Sequence, residues 1–172
     1  YLAELKGVSA TIPNQAILIN TLALQEAKDS SAIENIITTY DDLYREDIFP
    51  EHTLSAAAKE VSRYVTALKK GHSLVKANSL LTSNHIIEIQ AELESHRSGF
   101  RKLPGTELRN EQTGEIVYTP PQNPQEIIDL MSNLEKYLNE DSIIDIDPLI
   151  KMAVIHYQFE SIHPFYDGNG RT

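Results

Sequence analysis

The sequence contains no cysteine, and its basic residues are fewer than its acidic ones. Without cysteine the chain can form neither disulfides nor thiolate metal sites. The 15 Lys and Arg against 25 Asp and Glu give a net charge of −10, which argues against a nucleic-acid-binding surface because phosphate backbones are held by clustered cations. No apolar run approaches the ~18 residues of a membrane helix or resembles a signal-peptide core. We therefore expect a cytoplasmic protein with no nucleic-acid or membrane partner.

The residues that are present suffice for a globular domain. A chain of 172 residues with 41% hydrophobic side chains can bury a core of ordinary size. It begins at Tyr1 rather than at a methionine, so we expect a fragment of a longer protein.

Hydrophobic residues recur at steps of three and four along most of the chain, which predicts amphipathic helices. One such helix begins at Leu54 and is expected to stop at Gly71. A second carries its apolar residues after Ser83, the candidate N-cap, and is expected to close at Gly99.

Two further helices are predicted, because each begins with a cap residue followed by a proline at the first helical position. Asn123-Pro124 opens one of them, and Asp147-Pro148 opens the other. The apolar pattern of the last helix continues to Phe159, so His163 is expected just beyond its end.

The segment between the second and third of these helices has a different pattern. A Thr113-Gly114 turn precedes the β-prone residues 116–118, which predicts a hairpin over Arg109 to Tyr118. The expected fold class is therefore all-α with one small β-hairpin.

The last ten residues, 163–172, bring together groups suited to handling phosphate. A histidine can take a proton near neutral pH, an aspartate offers a hard oxygen ligand, glycines expose backbone N–H groups, and an arginine offers a charged fork. The bland alternatives are a structural histidine after an apolar helix and an Asx-turn in a glycine-rich loop. The residues concerned are His163, Asp167, Gly168, Asn169, Gly170 and Arg171.

This string resembles the signature of the Fic family, which runs His-Pro-Phe-x-Asp-Gly-Asn-Gly-Arg-x-x-x-Arg. The match is complete up to the end of the chain, and the second Arg would lie three residues beyond Thr172. The resemblance implies the helical Fic fold with a hairpin flap. It also implies a protein adenylyltransferase, which moves AMP from ATP to a Tyr, Ser or Thr hydroxyl of a target protein or of itself.

The resemblance also implies a role for each residue of the signature. His163 would be the general base, and Asp167 would hold Mg²⁺ at the phosphates of ATP. Gly168 and Gly170 would adopt positive φ and let the backbone approach the phosphates, which Asn169 and Arg171 would contact. Phe165 would be buried scaffold under the reactive residues.

A second motif lies upstream, at residues 30–35. Read from the residues alone, Ser31-x-x-Glu34 is a capping box at the start of a helix. Beside a Fic signature, Ser30, Glu34 and Asn35 also match the inhibitory motif Ser/Thr-x-x-x-Glu-Gly/Asn, whose Glu pairs with the second signature Arg in the family.

The chain is expected to have two parts. Residues 1–62 would form an N-terminal helical region carrying the inhibitory motif, and residues 63–172 a Fic core that ends just after the start of the signature-loop helix.

The hairpin resembles the Fic flap, which holds a target segment by β-augmentation, although an ordinary edge hairpin is the alternative. A homodimer is compatible with the sequence.

The sequence leaves two alternatives to an adenylyltransferase open. Some Fic relatives transfer UMP, phosphocholine or a phosphoryl group with the same loop. A nucleotide-binding regulatory module with negligible transferase activity is the other reading. The five remaining histidines lack metal-like spacing and are expected to be surface or core residues; they are His52, His72, His85, His96 and His156.

Overall fold

The computed structural model describes residues 1–48, 55–96, 98–140 and 146–172. Within these ranges the chain is mainly helical and contains one small antiparallel hairpin, which confirms the expected fold class. No helix there is both long enough and apolar enough to cross a membrane. The elements in chain order are α1 (Leu2–Ser9), α2 (Gln15–Ile33), α3 (Tyr40–Ile48), α4 (Ala56–Asn78), α5 (Ser83–Glu94), β1 (Leu108–Arg109), β2 (Ile116–Tyr118), α6 (Pro124–Asn139) and α7 (Pro148–Ile162).

The chain divides into two compact units, Tyr1–Val65 and Thr66–Thr172. The core of the first unit is small and is supplied by α2, α3 and α4. Its buried side chains are Ala27, Leu43, Ala58 and Val61. The assignment of residues 1–62 to regulation and of residues 63–172 to catalysis concerns function and stays a prediction.

The second unit has the larger core, where α5, α6 and α7 meet. Burying its branched and aromatic side chains stabilises the unit by roughly 25 cal/mol for each Å² of apolar surface removed from water. One member, Phe165, lies in the loop after α7 and is fully buried, so this loop is fixed to the core. The buried residues are Ile86, Ile127, Met131, Leu134, Phe159, Ile162 and Phe165.

The predicted starts of α6 and α7 are confirmed. The side chain of Asn123 accepts hydrogen bonds from the N–H groups of Gln125 and Glu126, at 2.8 and 3.4 Å. The side chain of Asp147 accepts one from the N–H of Leu149 at 2.8 Å. In both helices the proline occupies the first position, where an N–H would have no intrahelical partner.

The predicted ends of α5 are wrong by a few residues. Its N-cap is Thr82 rather than Ser83, and His85 completes a capping box by accepting from the N–H of Thr82. The helix closes at Ser95, which adopts a left-handed conformation, so it does not continue to Gly99. This capping box was not predicted, because the residue three positions after the N-cap is usually Glu or Gln and is a histidine here.

The predicted stop of α4 at Gly71 is also wrong, because the helix continues to Asn78. A Cβ atom at position 71 would lie 3.0 Å from Cδ1 of Ile89 in α5. Glycine is therefore used here for close helix packing and not for termination. The predicted first residue, Leu54, lies outside the described residues; Ser55 caps the helix by accepting an N–H three residues ahead at 3.1 Å.

The predicted hairpin is present. Strands β1 and β2 pair in antiparallel fashion, with a register irregularity between Leu108 and Arg109. The side chain of Asn110 accepts the backbone N–H groups two and three residues ahead, at 2.9 and 3.1 Å. Gly114 has a φ of 71°, a conformation that side-chain-bearing residues rarely adopt.

Candidate active site

His163 occupies the C-cap position of α7 in a left-handed conformation, with φ 48° and ψ 60°. Its N–H donates to the carbonyl oxygen of Phe159 at 2.9 Å. A non-glycine residue in this conformation is uncommon and is held there by its surroundings. The chain therefore turns sharply at the histidine and leads directly into the glycine-rich loop.

Arg101 holds this turn from the other side. Its Nε donates to the carbonyl oxygen of His163 at 2.8 Å, and its Nη2 donates to the carbonyl of Ile162 at 3.3 Å. Nη2 also makes a short hydrogen bond to the carbonyl of Pro121. The backbone N–H of Arg101 donates to the carbonyl of Pro164 at 2.8 Å. Sequence reasoning missed this residue because a lone arginine after Gly99-Phe100 belongs to no spacing pattern.

The pKa of the His163 ring is lowered from its usual value. Partial burial is the main cause, and the positive charge of Arg101 adds to it. The backbone carbonyl of Glu160 and the charge of Asp167 act in the opposite direction. Nδ1 is buried and makes no hydrogen bond of good geometry, so the Glu160 carbonyl is at most a weak acceptor. The ring is therefore mostly neutral at pH 7 and able to accept a proton.

Asn169 ties the loop into a closed turn. Its side-chain oxygen accepts from the N–H of Phe165, and its Nδ2 donates to the carbonyl of the same residue, both at 2.9 Å. The ring of Phe165 packs 5.4 Å from Phe100 and 6.3 Å from Phe159, measured between centroids. This confirms Phe165 as buried scaffold, while the predicted contact of Asn169 with phosphate stays a prediction.

Arg171 and Glu94 form an ion pair beneath the loop, with 3.1 Å between Nη2 and Oε1. The two side chains are only 5% and 15% exposed. Gly168 has a φ of 76°, and a Cβ atom there would lie 2.8 Å from the same Glu94 oxygen. Glycine is favoured at this position by its positive φ, and a side chain here would displace the Glu94 carboxylate from its present place. Sequence reasoning did not find Glu94, since its position at the end of α5 gives no signal.

Gly170 does not share the conformation of Gly168. Positive φ values in the loop occur at His163 and Gly168 but not at Gly170, so that part of the prediction is wrong. The reason is that the chain has already entered a helical turn, in which the N–H of Thr172 donates to the carbonyl of Gly168 at 3.0 Å. This turn covers residues 169–171, and no helix follows α7 in the described ranges, so the expected run of the loop into a helix stays a prediction.

Asp167 projects outward from the loop, with a side chain that is 75% exposed. Its Oδ1 accepts the N–H of Gly168 at 2.7 Å and lies 3.8 Å from Nη2 of Arg171. Gln90 donates to its backbone carbonyl at 3.3 Å. In the described ranges no group of three His, Asp or Glu residues could hold a metal ion. A metal at Asp167 would need ligands from a substrate.

Comparison with known protein families agrees with this loop. A family model described as "Fic/DOC family" matches residues 80–172, which is more than half of the chain, and one described as "Fic/DOC family N-terminal" matches residues 1–73. The chain belongs to the Fic/DOC family. The matched region includes the whole loop from His163 to Arg171.

Individual relatives are consistent with this assignment. The chain is 34% identical over 98 residues to protein adenylyltransferase fic-1 of Caenorhabditis elegans, a match covering 55% of this chain and 19% of that protein. It is 31% identical over 122 residues to protein adenylyltransferase Fic of Aedes aegypti, covering 71% of this chain and 23% of that protein. The matches thus span about a fifth of each relative's length.

The fold of the Fic chain is similar to that of a Fic-domain-containing signaling protein from Bacteroides thetaiotaomicron. The TM-score is 0.74 at 23% identity, over 88% of this chain and 59% of that one. At this level of identity the likeness concerns the fold alone.

The hairpin of this Fic chain is fastened beside the loop. The hydroxyl of Tyr118 donates to the carbonyl of Ser161 at 2.9 Å, two residues before the histidine. The apolar side chains of β2 are exposed, with Val117 at 71%. The exposed strand β2 is therefore held beside the last turn of α7.

The upstream motif has a different local structure from the one predicted. Helix α2 ends at Ile33, so the capping box at Ser31 and Glu34 and the helix start there are wrong. The N–H of Ile36 donates to the carbonyl of Ser31 at 3.0 Å, and that of Asn35 donates to Ala32 at 3.2 Å. These are the bonds of a Schellman motif, which ends a helix.

Asn35 takes the left-handed position of this Schellman motif, with a φ of 62°. Glycine and asparagine are the residues that adopt this conformation most readily. A Gly/Asn requirement after the glutamate therefore has a local structural cause. Glu34 occupies the cap position itself and is exposed.

Ser30, the first residue of the motif, lies in the last turns of α2 against Tyr64 of α4. Burial raises the pKa of Tyr64, and a hydrogen bond with Ser30 acts in the opposite direction. Glu26 and Glu34 raise it further through their charges. The end of α2 is thus packed on α4 within the first unit.

The other histidines have ordinary surroundings. His85 serves in the capping box of α5, and Nδ1 of His96 lies 2.8 Å from the carbonyl of Glu94. His72 is exposed. His156 lines an apolar cavity of about 200 Å³ between α5, α6 and α7. His52 lies outside the described residues.

Proposed function

We propose that this protein is an adenylyltransferase that moves AMP from ATP to a hydroxyl group of a protein target or of itself. The observation that carries the proposal is the geometry of the loop: a neutral histidine at a fixed helix end, followed at four residues by an exposed carboxylate. The names of the Caenorhabditis and Aedes relatives support the same activity.

His163 would act as the general base. The hydroxyl oxygen of the target forms a bond to the α-phosphorus of ATP while the bond from that phosphorus to the β-bridging oxygen breaks. Pyrophosphate leaves, and the hydroxyl proton passes to the ring of His163. Because Nδ1 is buried, we assign the proton transfer to Nε2. A base of this kind contributes ~10²- to 10⁴-fold to the rate.

The loop would bind the phosphates of ATP through Gly168, Asn169, Gly170 and Arg171. The N–H groups of Asn169 and Gly170 stand at the start of a helical turn, where anions are favoured, whereas the N–H groups of Gly168 and Arg171 donate to acceptors within the loop. The Glu94 ion pair holds Arg171 in one orientation, so its charge is in place before the substrate arrives. Preorganised charge of this type costs no reorganisation during the reaction.

Asp167 is suited to hold Mg²⁺ together with ATP. Its carboxylate is exposed, and only Oδ1 is engaged with the loop backbone. Mg²⁺ usually takes one or two carboxylates, phosphate oxygens and water. When bound, the ion would neutralise charge on the phosphates.

Glu34 would inhibit the enzyme. Its motif partners Ser30 and Asn35 support the assignment, because they fix the end of α2 and leave the Glu34 side chain exposed at the cap. In the family the carboxylate competes with the γ-phosphate for the second signature arginine. Like charges that must share a site exclude each other.

The flap would present the target segment to His163. An extended peptide added to an exposed strand edge is held by main-chain hydrogen bonds, and these tolerate many sequences. The exposed side chains of β2 and its tether at Ser161 support this role.

The test is a transfer assay with ATP labelled at either the α- or the γ-phosphorus. AMP transfer predicts that protein is labelled from α-labelled ATP and not from γ-labelled ATP, and that UTP, GTP and CTP are poor donors. Label from the γ position would indicate phosphoryl transfer instead. Binding of ATP without any label transfer, even after Glu34→Gln, would favour a nucleotide-binding regulatory module.

The metal is tested separately by isothermal titration of ATP with and without Mg²⁺. The Asp167→Asn variant has nearly the same shape but lacks the charge, so its ATP affinity should gain little from Mg²⁺. An unchanged Mg²⁺ dependence in this variant would place the ion elsewhere.

A further inference from the structure

Arg101 is a buried cation without a carboxylate partner among the described residues. Its side chain is 1% exposed, and no ion pair involves it in the described ranges. Burying a charge is costly unless polar groups compensate for the lost water. In this protein the compensation comes from backbone carbonyl oxygens.

The guanidinium joins two segments that lie far apart in sequence. Its acceptors Ile162 and His163 end α7, and its acceptor Pro121 follows the hairpin. The carbonyl of Pro164 accepts from the backbone N–H of Arg101 instead. The planar fork of an arginine can reach several acceptors at fixed angles, which a lysine cannot do. The carbonyls at the end of α7 also carry the negative end of the helix dipole, which favours a cation there.

We propose that Arg101 is a positioning residue for His163: its guanidinium joins the end of α7 to the segment after the hairpin, and thereby fixes the backbone from which the base works. This inference rests on the proposed function of His163. It assigns Arg101 no contact with ATP or with the target.

The charges around His163 support the proposal. Arg101 favours the neutral ring, whereas Asp167 and the carbonyl of Glu160 favour the protonated ring. The nearby Arg171 is already paired with Glu94. Loss of the Arg101 charge should therefore raise the pKa of His163, whereas Arg101→Lys, which keeps the charge, should not.

The experiment compares Arg101→Met and Arg101→Lys with the parent protein. Two quantities are measured: the pKa of His163 by NMR titration, with its signal assigned by its absence in His163→Ala, and the pH profile of AMP transfer. Arg63→Met is the matched control, since it removes the same charge from an exposed position on α4.

We expect the pKa of His163 to rise by roughly half a unit or more in Arg101→Met, with the acid limb of the transfer profile moving by the same amount. Arg101→Lys should keep the pKa near that of the parent but transfer about tenfold more slowly at every pH, because misplacing the base by a fraction of an ångström is costly. Arg63→Met should leave both quantities unchanged.

An unchanged pKa in a folded Arg101→Met variant would overturn the proposal. If that variant does not fold, Arg101→Lys decides: transfer at the rate of the parent would show that the fork is not needed. The NMR titration needs no substrate. If the parent transfers no AMP, the proposed function fails while the effect of Arg101 on His163 is still measured.

Discussion

The two motifs lie at the C-terminal ends of two helices, and each helix is followed by a left-handed residue that is not glycine. His163 caps α7 and has a φ of 48°, and Asn35, two residues after the end of α2, has a φ of 62°. The similarity is confined to the backbone. The surroundings of the two turns differ in nearly every other respect.

The turn at His163 is determined by contacts with residues far away in sequence and by the burial of a phenylalanine two residues ahead. Arg101 binds its carbonyls, Phe165 is fixed in the core, and Glu94 closes the loop through Arg171. The turn at Asn35 is determined locally, by two backbone hydrogen bonds and the preference of asparagine. This difference suits the proposed roles: a base must be held to within a fraction of an ångström, whereas an inhibitory carboxylate must be able to give way to ATP.

The largest effect is expected from His163→Ala. Transfer of AMP should fall by ~10²-fold or more, while ATP binding changes little because a base makes few ground-state contacts with the nucleotide. Label transfer and ATP titration measure the two quantities. Transfer that stays within about threefold of the parent rate would remove His163 from the mechanism.

The next effect contrasts the stability of the two turns. Asn169→Ala leaves the N–H and C=O of buried Phe165 unpaired, which should lower the free energy of unfolding of the second unit by about 2–4 kcal/mol. Asn35→Ala should cost the first unit about 1 kcal/mol through the loss of the left-handed preference at an exposed turn. Urea unfolding monitored by NMR signals of each unit measures both. Equal losses of unfolding free energy in the two variants would show that the two turns are held equally firmly.

Glu34→Gln tests the regulatory role of the exposed turn. If the carboxylate competes with the γ-phosphate, its neutralisation should raise auto-modification several-fold, since a repelling charge is removed. Asn35→Gly is the matched control, because it keeps the carboxylate and a residue suited to positive φ, and it should leave the rate unchanged. Equal rates of auto-modification in Glu34→Gln and in the parent would show that Glu34 does not inhibit the enzyme.

The smallest effect concerns pH. The pKa of His163 is lowered from 6.5, so more than half of the rings are neutral at pH 6.5, and transfer there should exceed half of its plateau value. The same shift means that the unfolded chain binds this proton more tightly, so stability falls as pH drops through the folded pKa. A rate profile with its acid midpoint above 6.5 would show that burial does not control this group.

The local signals in the sequence were read correctly where one short segment determines the structure. Asn123-Pro124 and Asp147-Pro148 start their helices because capping involves residues two or three apart. The hairpin was predicted in the same way from its turn and its β-prone residues, whereas the burial of Phe165 was implied by the resemblance to the Fic signature. The reading failed at Gly71 and at Ser31, where the same residue types serve a close helix contact and a helix end instead.

The sequence by itself determined the family, the helical fold class and the order of the signature residues, since each of these depends on residues that are close together along the chain. Only the tertiary structure decided which groups hold them. Arg101 and Glu94 lie 62 and 77 residues from the backbone and side chain that they bind, and no local pattern marks them. Their partners are defined by burial, because a charge removed from water must be met by whatever polar groups the fold brings within reach.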